Sequence, residues 1–84
     1  MDTGSAMKLL QRAFAQEAAG ELEAAYDSGT RALEGFGEDR TGAAAAHHLL
    51  AVVKAAQQEP AEALAHLDAA LPLRQSTGDQ DGLL

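Results

Sequence analysis

The chain of 84 residues has no cysteine, no tryptophan and no isoleucine, and only three aromatic residues, Phe14, Tyr26 and Phe36. Without cysteine there are no disulfides and no thiolate metal site to add stability. Val52 and Val53 are the only valines, so the β-branched and aromatic residues that a sheet would need are missing. Basic residues are few: 6 against 13 acids, a formal charge of −7. That balance argues against nucleic acid or an anionic membrane as the main partner. No apolar run approaches the roughly 18 residues of a membrane span, and MDTGSAMKLL, with an acid at its second position, does not read as a secretory signal. A cytoplasmic location is the expectation.

Alanine fills about a quarter of the chain, including the run Ala43 to Ala46. It is the best helix former, since it loses no side-chain entropy and buries no polar group. Punctuation then divides an all-α chain into four helices. The first is expected from about Ser5 to Ala19, with Thr3 or Ser5 as N-cap and Gly20 in the left-handed position after it. A second runs from about Glu21 to Glu34 and stops at Gly35-Phe36-Gly37. A third starts after Asp39 and reaches about Gln58; the fourth opens at Pro60, ends near Gln75 or Ser76, and is followed by Gly78. Pro72 removes the bond to the Asp68 carbonyl, so the last helix is expected to kink or stop there.

A shift of 38 residues superposes the chain on itself. It matches Thr3-Gly4 with Thr41-Gly42, Ala6 with Ala44, Ala13 with Ala51 and Ala18 with Ala56. It also matches Glu21 with Glu59, Ala25 with Ala63, and Ala32-Leu33 with Ala70-Leu71. Each unit is helix, short turn, helix. A third start, Asp79-Gln80-Asp81-Gly82, parallels Asp39-Arg40-Thr41-Gly42. The stripe Leu9, Leu10, Ala13, Phe14 and the stripe Leu49, Leu50, Val52, Val53, Ala56 agree better at a shift of 39 or 40.

These residues resemble the tetratricopeptide repeat (TPR) family, in the long-period form of kinesin light chains and bacterial signalling and transcription regulators. Ala13 and Ala51 match its small residue in the first helix, Gly20 its turn glycine (Gln58 in the second unit), and Ala25 and Ala63 its buried alanine. Ala32-Leu33 and Ala70-Leu71 match the closing pair, and Gly78-Asp79-Gln80-Asp81-Gly82 the linker. Gln16 and Lys54 stand where an aromatic is usual, and Gly29 where a larger residue usually packs. The resemblance implies one TPR-like domain over residues 1–84: two antiparallel hairpins stacked as a short α-solenoid, with repeats at about 3–38 and 39–78 and residues 79–84 a tail or incomplete third unit.

Such a stack leaves an apolar face that only another hairpin, a second copy or a partner covers. The family's concave groove maps onto Met7, Leu10, Phe14 and Glu17 in the first unit and Ala45, His48, Val52 and Ala55 in the second. Leu10, Phe14 and Val52 serve equally well as core. Tyr26 and Phe36 fit as filling between hairpins or as cover for the linker. Leu64, Leu67, Leu71 and Leu73 form a candidate self-association face. Seven acids from Glu17 to Asp39, facing only Arg31, give either a solvated rim or a docking surface for a basic segment.

No catalytic set, cofactor motif or metal site is expected. The serines have no nucleophile motif around them. Gly35-Phe36-Gly37 lacks the strand and lysine of a phosphate loop. His47 and His48 are neighbours that point about 100° apart on a helix, and His66 lies on the next one. The expected function is a non-catalytic module binding another protein or peptide. The alternatives are a dimer-forming helical module or part of a larger TPR-containing regulator.

Overall fold

A computed structural model describes residues 2–76, with side chains through Leu73. Four helices follow in order: α1 (Thr3–Ala18), α2 (Leu22–Phe36), α3 (Arg40–Ala56) and α4 (Pro60–Ser76), with no strand among the described residues. α1 packs on α2 and α3 on α4 as two hairpins; α2 then packs on α3, and α1 edges against α3. Stacked antiparallel hairpins are thus the architecture.

The helix starts are set by carboxylates. Asp2, rather than Thr3 or Ser5, caps α1 by accepting from the Ser5 amide at 2.6 Å. That bond holds the Asp2 carboxyl below its ordinary value of 3.8. Asp39 caps α3 in the same way, accepting from the Gly42 amide at 3.2 Å. α2 runs through Gly35 and stops at Phe36, because Gly37, at φ 58°, takes the left-handed step beyond it. α4 continues through Pro72 to Ser76. Gly78 and the third start at Asp79 to Gly82 lie outside the described residues.

The turn inside each hairpin is the same motif 38 residues apart. Gly20 (φ 84°) and Gln58 (φ 63°) both sit in the left-handed region. Gly20 N–H donates to the Glu17 carbonyl and Glu21 N–H to Gln16; Gln58 donates to Ala55 and Glu59 to Lys54, all at 2.8–3.0 Å. This is the paired closure that satisfies the last carbonyls of a helix before a sharp turn. The N-caps are related by 37 residues instead, since α1 has 16 residues and α3 has 17.

Helix α3 explains why the apolar stripes disagree with a rigid shift. α1 buries one stripe, Ala6, Leu10 and Ala13. α3 lies between neighbours and buries two sides. Leu49, Leu50 and Val53 point to the first hairpin and are the largest fully buried side chains. Ala44 and Ala51 lie on the side that also carries His47, which touches α4. The 38-residue shift aligns Ala6 and Ala13 with Ala44 and Ala51; the 40-residue shift aligns Leu9 and Leu10 with Leu49 and Leu50.

Two glycines allow close approach. A methyl group at Gly29 would stand 2.7 Å from Leu49 Cδ1 and 2.8 Å from Leu50 Cδ2, so the bare backbone is the seat of α3 on α2. A methyl at Gly42 would overlap the Phe36 ring, which closes the linker between hairpins.

Candidate interaction surface

The first half of the predicted groove divides in the structure. Leu10, at 3% exposure, is core and cannot contact a partner. Met7 and Phe14 are 42% and 40% exposed. They are seven residues apart, hence on one face of α1. That face flanks the buried stripe on the side away from Gln16, which accepts a 2.8 Å bond from the Ser28 hydroxyl of α2. Glu17 is half-buried.

On α3, Ala45 and Val52 are half-buried, and His48 and Ala55 are exposed. His48, Val52 and Ala55 follow the i, i+4, i+7 spacing that makes a single stripe. α1 and α3 are neighbours, so each contributes one strip of a shallow, weakly apolar surface.

A stronger apolar surface lies on α4. Leu64, Leu67 and Leu71 are 58%, 42% and 55% exposed, and Leu73 is half-buried beside the linker residues Gly37 and Glu38. The i, i+3, i+7 spacing places the three leucines in one line. The 38-residue shift carries that line onto Tyr26, Gly29 and Leu33 of α2. Tyr26 and Leu33 pack against the core there, and Gly29 receives Leu49 and Leu50. The inward residues agree too, with Ala25 and Ala32 matching Ala63 and Ala70, all buried. The outward line of α4 is therefore the α2 seat repeated, without a helix on it among the described residues.

Polar side chains converge at the seam of α2, α3 and α4. His47 Nδ1 lies 3.2 Å from His66 Nδ1, and His66 Nε2 lies 3.5 Å from the Tyr26 hydroxyl. The Lys54 ammonium stands 4.3 Å above the Tyr26 ring, 3.3 Å from the Glu59 carboxylate and 3.7 Å from that of Glu62. Lys54 thus links α3 to the start of α4 by charge and to α2 by its contact with the Tyr26 ring. Burial lowers the His47 pKa from its ordinary 6.5. Burial, then the charges of His47 and Lys54, lower that of His66. No three His, Cys, Asp or Glu side chains converge as a metal set among the described residues.

Neither this cluster nor the role of Gly29 is legible in the sequence. Helical spacing shows which residues share a face of one helix. The meeting of His47 with His66 depends on how α3 and α4 slide past each other. The seat on α4 was accessible in advance: the 38-residue shift already pairs Leu64, Leu67 and Leu71 with Tyr26, Gly29 and Leu33.

The acidic run is mostly exposed. Asp27 pairs with Arg31 at 3.3 Å, with both side chains about two-thirds exposed, a geometry that contributes little to stability. No described helix is long and apolar enough to cross a membrane. Comparison with family models, curated proteins and solved structures returns no match to this chain.

Proposed function

We propose that this chain is a non-catalytic, TPR-like protein-interaction module, and that its principal docking surface is the outer face of α4. One observation carries the reading: Leu64, Leu67 and Leu71 repeat the α2 positions on which α3 sits, yet remain about half exposed. Fully burying an exposed leucine is worth about 1.5–3 kcal/mol, and with about half of that still to be gained at each of the three positions the line favours the binding of another helix. Repeat stacks behave this way in general, because each unit leaves a face for the next.

The test is affinity capture from cells with the whole chain and two double variants. Leu64→Glu/Leu71→Glu alters the α4 face, and Met7→Glu/Phe14→Glu alters the α1 strip. All four side chains are exposed, so both variants should keep the helical circular dichroism of the parent. Partners should be lost with the α4 variant and kept with the α1 variant. Retention of every partner by the α4 variant overturns this reading. Loss with the α1 variant alone transfers the function to the α1–α3 groove, whose exposed Met7 and Phe14 supply the adaptable apolar contacts such grooves use.

A further inference from the structure

The α4 seat differs from its α2 counterpart at the centre. On α2 the central position is Gly29, a hole into which α3 inserts Leu49 and Leu50. On α4 the central position is Leu67, a projecting side chain. A helix shaped like α3 would drive its leucines into Leu67. We propose that the α4 face accepts a partner helix of the inverse shape, with alanine or glycine opposite Leu67 and larger apolar residues one turn to either side. This rests on the docking-surface reading above and specifies what the surface takes.

Charge and shape both place that helix on a different protein. In another copy of this chain, α1 would be the helix to stack next. At the 38-residue spacing its Gln11 and Arg12 stand where α3 has Leu49 and Leu50, and both are exposed. Docking there would set the polar Gln11 and Arg12 side chains, rather than apolar ones, against the leucines. Two chains of formal charge −7 also repel. Asp68 is exposed on the edge of the leucine line, so the complementary helix carries a lysine or arginine on that flank.

The test uses methyl-labelled full-length chain and two 17-residue peptides with the sequence of α3 (Arg40–Ala56). One peptide is unaltered. The other carries Ala46→Leu, Leu49→Ala and Leu50→Ala, giving a large–small–large pattern. The altered peptide should shift the Leu64 and Leu71 methyl resonances and bind several-fold more tightly than the unaltered one. On the chain variant Leu67→Gly the order should reverse. Leu67→Ala, which retains helix propensity, should move the preference the same way.

Equal affinities of the two peptides in every background would overturn the size complementarity and leave the docking face standing. Absence of any methyl shift at millimolar peptide, or shifts that survive Leu64→Glu/Leu71→Glu, would overturn the docking face itself. A chain that dimerises alone, and returns to one copy on Leu64→Glu/Leu71→Glu, would make a second copy the occupant and overturn the assignment to another protein.

Discussion

His47 and His66 meet nitrogen to nitrogen across the seam of α3 and α4, Nδ1 to Nδ1 at 3.2 Å. That contact requires at least one neutral ring, because two imidazolium groups would point N–H at N–H. The facing groups are Tyr26 from α2, Lys54 on α3, and Glu59 and Glu62 at the start of α4. The nearest fixed cation, Lys54, adds to the penalty on a charged His66.

Both histidine pKa values are lowered from 6.5 in the folded chain, so below pH 6.5 the unfolded chain binds more protons. Stability therefore stands in full above about pH 6.5 and declines as pH falls through the lowered folded values. Thermal melts at pH 7.5, 6.5 and 5.5 should show a falling Tm. His66→Gln should flatten that slope between pH 6.5 and 5.5. An equal slope in the parent and the variant would refute the assignment.

Gly29 is the closest point between the hairpins. Gly29→Val should destabilise the chain by about 1–3 kcal/mol, the usual cost of overpacking a filled core. For a domain of this size that is a Tm loss of about 4–8 °C per kcal/mol. Pairing it with Leu50→Ala should recover part of the loss, since Leu50 Cδ2 is one of the two atoms in the way. Purely additive losses would show that Gly29 does not set the spacing.

Gln58 holds φ 63° without being a glycine. Gln58→Gly should stabilise the chain by about 0.5–1 kcal/mol, as left-handed backbone costs a side-chain-bearing residue about 1–2 kcal/mol and glycine returns part of that through unfolded-state entropy. Gly20→Ala should do the reverse at the matching turn, although nothing crowds its added methyl. A denaturation midpoint that moves the same way in both variants would contradict the equivalence of the two turns.

Light scattering behind size exclusion, over a hundredfold range of concentration, should return the single-chain mass of 8.7 kDa throughout. The polar outer side of α1 and the shared negative charge are the reasons. A mass that climbs with concentration would favour self-association through α4.

Local chemistry makes the helices readable: the alanine content favours helix, and Gly20, the Gly35–Gly37 stop, Asp39 and Pro60 each mark an element end to within two residues. Thr3 and Ser5 are the caps that the sequence suggests for α1, yet Asp2 fills the position, since a charged carboxylate outcompetes a hydroxyl for the Ser5 amide. Groove residues were harder. A rigid repeat shift put Leu10 on the surface, but Leu10 belongs to the register in which α1 copies the inner side of α3, and it is buried. Inter-helix meetings such as His47 with His66 depend on the slide between packed helices, which no spacing along one helix encodes.

Leu49, Leu50 and Val53, the three largest fully buried side chains, all belong to α3, which packs against each of the other three helices. The rest of the core is mainly alanine, which provides contact but little apolar area. Neither hairpin can then open by itself, because releasing either one strips the leucines that hold both. Hydrogen exchange along α3 should proceed only through complete unfolding, and a protease should meet either an intact chain or a fully open one, with no half-folded species between.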